Sequence, residues 1–342
     1  MRLKALFYIA QDYAFAILRP LQAEIIAHGG SVVWLLVGDE ITPALLMPEE
    51  NQLPDEKAAI AFNADAVFAP GDRVPGFIPG LKVQVFHGLN EYKRGNQYPE
   101  RGLFDLYCTE GPSRTAMLEP LARKRGYFKV CETGWLKLDS LFQPQEVAEA
   151  DKRLPPVRPR IAFASTFTAR LSGAEALFEE IKSLIESQAW DWLITLHPKM
   201  DRNTVDKYRS LVRENVQFYG TNEVISLLHR SDVMVCDNSS ILQEFLLLEK
   251  PFVTFKNREP LPCMIDIRSP AELGTAIQRA LQPNDALKQA IAAYGPSVTP
   301  YLDGHSAERV FQATVSLLKS GWQDRKPRNW WRNLRMRHNF RF

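Results

Sequence analysis

The chain of 342 residues contains no apolar run of the roughly eighteen or more residues that a membrane-crossing helix needs. Its first ten residues, Met1 to Ala10, form a short apolar strand that passes straight into Gln11 and Asp12 rather than a cleavable apolar segment, so the expected location is the cytoplasm. Cysteine is scarce. Cys108, Cys131, Cys236 and Cys263 are scattered without metal-ligand spacing, three of them inside or beside apolar strand-like runs, as buried free thiols would be. The chain has no paired Asp-x-Asp element and no His-x-x-x-His pair, and His28, His229 and His338 stand isolated, so no metal site is expected. No Gly-x-Gly-x-x-Gly follows the first strand, which argues against a dinucleotide, and no cofactor is expected.

What is present is an ordinary globular composition, 45% apolar, in a chain long enough to bury two cores. The net charge of +2 conceals an asymmetry: residues 325 to 342 hold seven Lys or Arg and no acid, leaving 35 basic against 40 acidic residues elsewhere. A mildly acidic body argues against nucleic acid as a partner, since that footprint is a basic face.

Periodicity alternates short apolar strands with amphipathic helices, the rhythm of parallel βαβ units. Strands are expected at 3–9, 31–37, 66–69, 83–86, 106–109 and 128–133, with helices over 14–27 and 113–125. Pro144, Pro155, Pro156 and Pro159, set among charges, mark a linker. The rhythm then restarts with strands at 161–164, 192–196, 216–219, 233–236 and 252–255, and helical stretches at 270–281, 284–293 and 306–320 close the chain. This predicts an α/β protein of GT-B type: a Rossmann-like domain over 1–141, a linker over 142–160, a second Rossmann-like domain over 161–321 and a basic aromatic tail over 322–342. Ligands are expected in a cleft at the carboxyl ends of the strands. The last helix is expected to pack back across the first domain.

Three strand ends carry candidate chemistry. The strand Val233 to Cys236 delivers Asp237, Asn238, Ser239 and Ser240 to a helix start, where small side chains, hydroxyls and backbone N–H groups suit a diphosphate. Asp237 itself repels phosphate and is expected to orient the turn or cap the helix. Glu244 lies one turn further, where it either accepts from a ribose or faces solvent. The first-half strand leads to His87-Gly88, followed by Lys93, and the imidazole there serves as a general base or simply holds Gly88. A second-half strand ends in His197-Pro198-Lys199, where Pro198 stops the strand.

These segments, taken in order, resemble the CDP-glycerol glycerophosphotransferase family, which builds teichoic-acid-like and capsule polymers. The resemblance rests on Val83 to Lys93 with its His-Gly, Thr133-Gly134 through Asp139, Phe163 to Phe167, Trp192 to Pro198, Ser231 to Phe245, and Asp303-Gly304 through Arg309. Asn238 replaces a usual Tyr, and Ser165 a usual Pro. The resemblance implies a GT-B fold with the acceptor on the side of residues 1–141 and the nucleotide donor on that of 161–321, and catalytic use of His87 and of His197, the latter in contact with the donor phosphates. It places Asn238, Ser239, Ser240, Glu244 and Arg309 around the donor, supported by Gly88, Lys93, Thr166, Asp237 and Asp303. Arg309 either neutralises a phosphate or pairs with Asp303. The expected reaction moves glycerol phosphate, or a related polyol phosphate, from a CDP-activated donor to a hydroxyl of a membrane-linked glycan. A nucleotide-sugar glycosyltransferase and a non-catalytic glycan-assembly protein are the alternatives.

The tail from Trp322 to Phe342 mixes indoles with Arg. Aromatic rings favour the headgroup boundary and Arg an anionic leaflet, so the protein is expected to sit peripherally on the inner face of the cell membrane. A solvated tail and RNA contact are the competing readings.

Overall fold

The structure, a computed structural model, describes residues 1–88, 100–143, 158–187, 189–220 and 223–327. It divides into two compact units: Met1–Phe142 together with the chain from Val298 onward, and Gln143–Ser297.

The first unit holds β1 (Lys4–Ile9), β2 (Ser31–Leu36), β3 (Ala66–Ala69), β4 (Leu81–Gln84), β5 (Leu106–Thr109) and β6 (Lys129–Glu132) in the order β2-β1-β3-β4-β5-β6, with every pairing parallel. Around them lie α1 (Tyr13–Ala27), α2 (Glu56–Phe62), α3 (Pro112–Arg125) and α4 (Lys137–Phe142). A parallel sheet covered on both faces needs strands that are apolar on both sides, and β1 shows it. Ala5, Phe7 and Ile9 join the core that contains α1, while Leu6 and Tyr8 join the core on the opposite face. Phe7 meets Trp34 edge to face at 4.9 Å, one of the arrangements that aromatic quadrupoles favour.

The second unit repeats the plan with β7 (Arg160–Ser165), β8 (Asp191–Leu196), β9 (Val216–Phe218), β10 (Val233–Cys236), β11 (Phe252–Phe255) and β12 (Ile265–Ile267), ordered β12-β11-β10-β7-β8-β9 and again all parallel. In both units the chain starts in the interior of the sheet, runs to one edge and then jumps back. The switch lies between β1 and β3 in the first unit, and between β7 and β10 in the second. Loops leaving the carboxyl ends of such strands diverge, which opens a crevice for ligands.

Several boundaries differ from the sequence expectation, and three short elements were not expected. The fourth strand ends at Gln84, not Phe86, because Phe86 takes a left-handed backbone (φ 52°) that no ladder accommodates. Strand β12 is three residues long, and α2 and α4 span seven and six, too short to show a period. The second unit stops at Ser297 rather than at 321, while the helix Ser306–Lys319 packs back on the first unit, as expected of the last helix.

The cause of that return is a buried carboxylate. Asp139, fully buried on α4, accepts from the backbone N–H of Ser306 at 2.9 Å and of Ala307 at 2.6 Å, satisfying two of the four open donors at the start of the last helix. Val310, Phe311, Val315 and Leu317 of that helix then complete the core around Ile17 and Leu21 of α1. Thr299 Oγ1 donates to the carbonyl of Glu110 at 2.8 Å, pinning the returning strand of chain. The start of the expected tail is also part of this unit. Trp322 packs on the core and donates to the buried Asp105 at 3.1 Å, and Lys326 pairs with the same carboxylate. Residues 328–342, with the remaining tail aromatics and Arg residues, lie outside the described residues, as do Lys93 and linker residues 144–157.

Asp139→Ala is expected to lower the stability of the folded protein by about 1–2 kcal/mol, the usual value of a helix-cap acceptor. Asp139→Asn should recover at most part of this, since the two N–H groups use different carboxylate oxygens and an amide offers only one acceptor. Urea titration at constant m-value measures both, and equal midpoints for Ala and wild type would show that the cap does not hold the last helix.

Candidate functional site

In the first unit, His87 stands three residues beyond β4, among loops that leave the β1/β3 switch. Its Nδ1 lies 3.1 Å from the carbonyl of Pro70, just after β3, and its ring stacks on Tyr13 at the start of α1 with centroids 5.2 Å apart. A carbonyl only accepts, so Nδ1 carries the proton and the lone pair of the neutral ring belongs to Nε2. That is the tautomer of a base. Phe86, immediately before it, is a buried aromatic at φ 52°, a conformation that costs on the order of 1–3 kcal/mol in a non-glycine residue and sets the direction in which His87 leaves the sheet.

In the second unit, His197 follows β8 directly, and the N–H of Lys199 donates to its Nδ1 at 3.0 Å. Here Nδ1 is the acceptor, so the neutral ring carries its proton on Nε2 and presents an N–H. The two histidines thus hold opposite tautomers, each fixed by one backbone group. Burial, and then the Lys199 charge, hold the His197 pKa below the ordinary 6.5, so the ring is neutral at pH 7. Phe167 lies against it, with ring centroids 4.4 Å apart.

The Asp-Asn-Ser-Ser turn leaves β10 at the β7/β10 switch. Asp237 is buried, and it accepts from Ser165 Oγ, from the N–H of Thr166 at 3.1 Å and from the N–H of Gly173 at 2.9 Å. Desolvation raises its pKa, against those hydrogen bonds. Its work is internal: it holds the loop after β7 against the turn after β10. Asn238 is similarly engaged, its amide donating to the carbonyls of Leu171 at 3.1 Å and Lys256 at 3.4 Å while its oxygen accepts from the N–H of Arg258 at 3.0 Å. These three bonds tie the Asn238 side chain to the loops around the turn. Half-buried Ser239 and exposed Ser240 are left to face outward at the start of the helix Ile241–Leu247. Glu244 in that helix is buried, which removes the solvent-facing reading.

Asp303 and Arg309 fall in the first unit, whereas this turn belongs to the second. Arg309 makes a two-point pair with Asp303, its guanidinium lies 4.5 Å from the Tyr301 ring centre, and it reaches the carbonyl of Thr133 at 3.5 Å. The pairing with Asp303, one of the two expected uses, is present. Gly134 adopts φ 85° beside Ser306 and Tyr301, where no side chain fits. The Gly134–Asp139 and Asp303–Arg309 motifs are therefore two sides of one internal contact. Sequence reasoning missed Arg114, whose guanidinium lies 4.0 Å from the Phe86 ring centre and donates to the carbonyl of Gly88 at 3.2 Å. Its i,i+4 spacing from Glu110 was the available signal.

Two all-parallel α/β units, each with polar residues gathered at its switch point, are the plan of the GT-B fold. A family model described as CDP-glycerol:poly(glycerophosphate) glycerophosphotransferase matches residues 121–316, and the chain belongs to that family. It is a CDP-glycerol glycerophosphotransferase-like transferase. No curated protein matches it in a sequence comparison. Among solved structures, the wall teichoic acid polymerase TagF is 16% identical over 94% of this chain and 90% of its own, with a TM-score of 0.64. A putative UDP-N-acetylglucosamine 2-epimerase from Listeria monocytogenes is 13% identical over 95% and 99%, with a TM-score of 0.65. At these identities the likeness is one of fold. Among the described residues no helix is long and apolar enough to cross a membrane.

Nitrogen-15 NMR of the histidine rings is expected to report a protonated Nδ1 for His87 and a protonated Nε2 for His197. Lys199→Ala should raise the His197 titration midpoint by removing a like charge, yet leave it below the ordinary value because burial is the larger cause. A midpoint unmoved by Lys199→Ala would show that its charge does not reach the ring.

Proposed function

We propose that the protein transfers glycerol phosphate, or a related polyol phosphate, from a CDP-activated donor to a hydroxyl of a membrane-linked glycan in cell-envelope polysaccharide synthesis. The observation that carries this reading is that the Nδ1 atoms of the two strand-end histidines meet opposite backbone groups, a carbonyl at His87 and an N–H at His197. Transfer of a phosphoryl group to an alcohol needs one group that accepts a proton and others that donate to phosphate oxygens.

His87 Nε2 takes the proton of the acceptor hydroxyl, whose oxygen attacks the phosphorus bearing the polyol. The bond from that phosphorus to the bridging oxygen breaks, and CMP leaves with the electron pair. His197 donates its Nε2–H to the donor's phosphates, where a neutral donor suffices, and the hydroxyls of Ser239 and Ser240 add to it. Thr166 and Asp237 support this turn from within. Glu244 is proposed to accept from the ribose. No step calls for a cofactor or a metal. Membership of the family supports the CDP-linked donor, as does the TagF structure soaked with CDPG. The fold shared with a UDP-sugar epimerase favours a second donor class, a UDP-linked sugar.

Incubation with a panel of CDP- and UDP-linked donors plus membrane extract separates the two. CMP release from CDP-glycerol is expected, and UDP release would select the glycosyltransferase reading. His87→Ala and His197→Ala should each reduce CMP release by roughly 10²- to 10⁴-fold with the fold intact. Near-wild-type turnover by either variant would remove that histidine from the mechanism.

We further propose that residues 328–342 hold the enzyme on an anionic membrane surface, beside a lipid-linked acceptor. They add five Arg and four large aromatic residues, and each basic charge contributes about 1 kcal/mol near such a leaflet. Deleting 328–342, while leaving Trp322 and Lys326 on Asp105, should abolish flotation with anionic liposomes. Flotation of the full chain should also weaken with salt, as the screening length falls from about 10 Å at 0.1 M to about 3 Å at 1 M. Equal flotation of both forms would exclude the tail as anchor, and selective binding of the full chain to RNA would favour the rival partner.

A further inference from the structure

Beneath His87 lies a buried ion pair to which the proposed chemistry assigns no step. Arg114 and Glu110 sit one turn apart at the start of α3, with side chains 7% and 6% exposed and a contact of 2.6 Å. The pair spans the histidine. The Arg114 guanidinium lies over the face of Phe86, on one side of His87, and donates to the carbonyl of Gly88, on the other. Phe86 is the residue in the left-handed conformation, so the segment that aims the imidazole is the one that relaxes if nothing holds it. Glu110 is itself fixed. Its carbonyl accepts from Thr299 Oγ1, and Gly111 next to it lets the carbonyl of Val298 approach a distance no Cβ would permit.

We propose that Arg114 is a positioning residue for His87, gripping the residues before and after it so that Nδ1 stays on Pro70 and Nε2 keeps its direction. The planar guanidinium is what the role requires: it covers a ring and donates to a carbonyl at once, while Glu110 neutralises it. An ammonium at the same place pairs with Glu110 but cannot do both. The importance of the arrangement for turnover rests on the proposed use of His87 as base, whereas its effect on the ring does not.

Removing Arg114 alone takes the ion-pair partner from a buried carboxylate, and such a variant is prone to unfold. The test therefore uses Arg114→Lys and the double variant Arg114→Met/Glu110→Gln, with melting temperature as a check of folding. Both are expected to lower kcat for CMP release from CDP-glycerol by about 10- to 100-fold, the penalty of a small misplacement of a reacting group, while KM for CDP-glycerol changes less than about twofold. Nitrogen-15 NMR should show His87 losing its single Nδ1-protonated form, while His197 is unchanged. A His87 signature identical to wild type in a folded variant overturns the proposal, whatever happens to kcat. If the ring is disturbed and kcat is not, Arg114 is not a positioning residue for transfer. If His87→Ala is active, the reading of His87 as base fails separately.

Discussion

The buried carboxylate of Asp237 is the constraint on which the second unit's polar edge depends. Placed at the end of β10, beside the strand from which the unit's winding reverses, it gathers the backbone of two loops that the sheet alone would let diverge. An ionised carboxylate in such a place is costly unless its lone pairs are used. Ser165, Thr166 and Gly173 use them. With Asp237 turned inward and Asn238 tied to Leu171, Lys256 and Arg258, the outward positions of the turn are those of Ser239 and Ser240, a surface with hydroxyl donors and no exposed acid of its own.

Asp139 applies the same device to a different end. Its two hydrogen bonds to the last helix decide that the chain, having built a second α/β unit, returns to complete the core of the first. This gives the Gly134–Asp139 and Asp303–Arg309 motifs a common physical meaning. A pattern of Gly, Asp and Arg residues resembling a binding signature is here a closure: glycine where a Tyr ring and a Ser approach, carboxylate on backbone N–H, guanidinium on carboxylate and carbonyl.

The parallel α/β character of both halves was legible because strands buried on two faces read as continuous apolar runs between amphipathic helices, and Ala66–Ala69, Leu106–Thr109, Val233–Cys236 and Phe252–Phe255 have the bounds that their composition implies. The two strand-end histidines were legible for the same reason, as polar residues at the ends of apolar runs. Other features were hidden by physics that local pattern does not carry. The end of β4 is set by the backbone of Phe86, a residue type that composition assigns to a strand. The split of the chain at Ser297 depends on a contact between residues 139 and 306, remote in sequence. The internal bonds of Asn238 and Arg309 were hidden because a polar side chain in a short turn or at a helix start can bond with many partners.

The histidine tautomers belong to the same hidden class, and they give the two His motifs different chemistry. Both rings follow parallel strands, and each is held by a backbone group at Nδ1; the difference is only whether that group is a carbonyl or an N–H. Pro198 contributes to the second case, since a proline has no N–H, and the next available donor is that of Lys199. Pro70 contributes to the first by offering a carbonyl in the loop after β3. In each unit a proline near the imidazole thus helps to fix which nitrogen keeps the proton, so that one fold, used twice, yields a ring that accepts and a ring that donates.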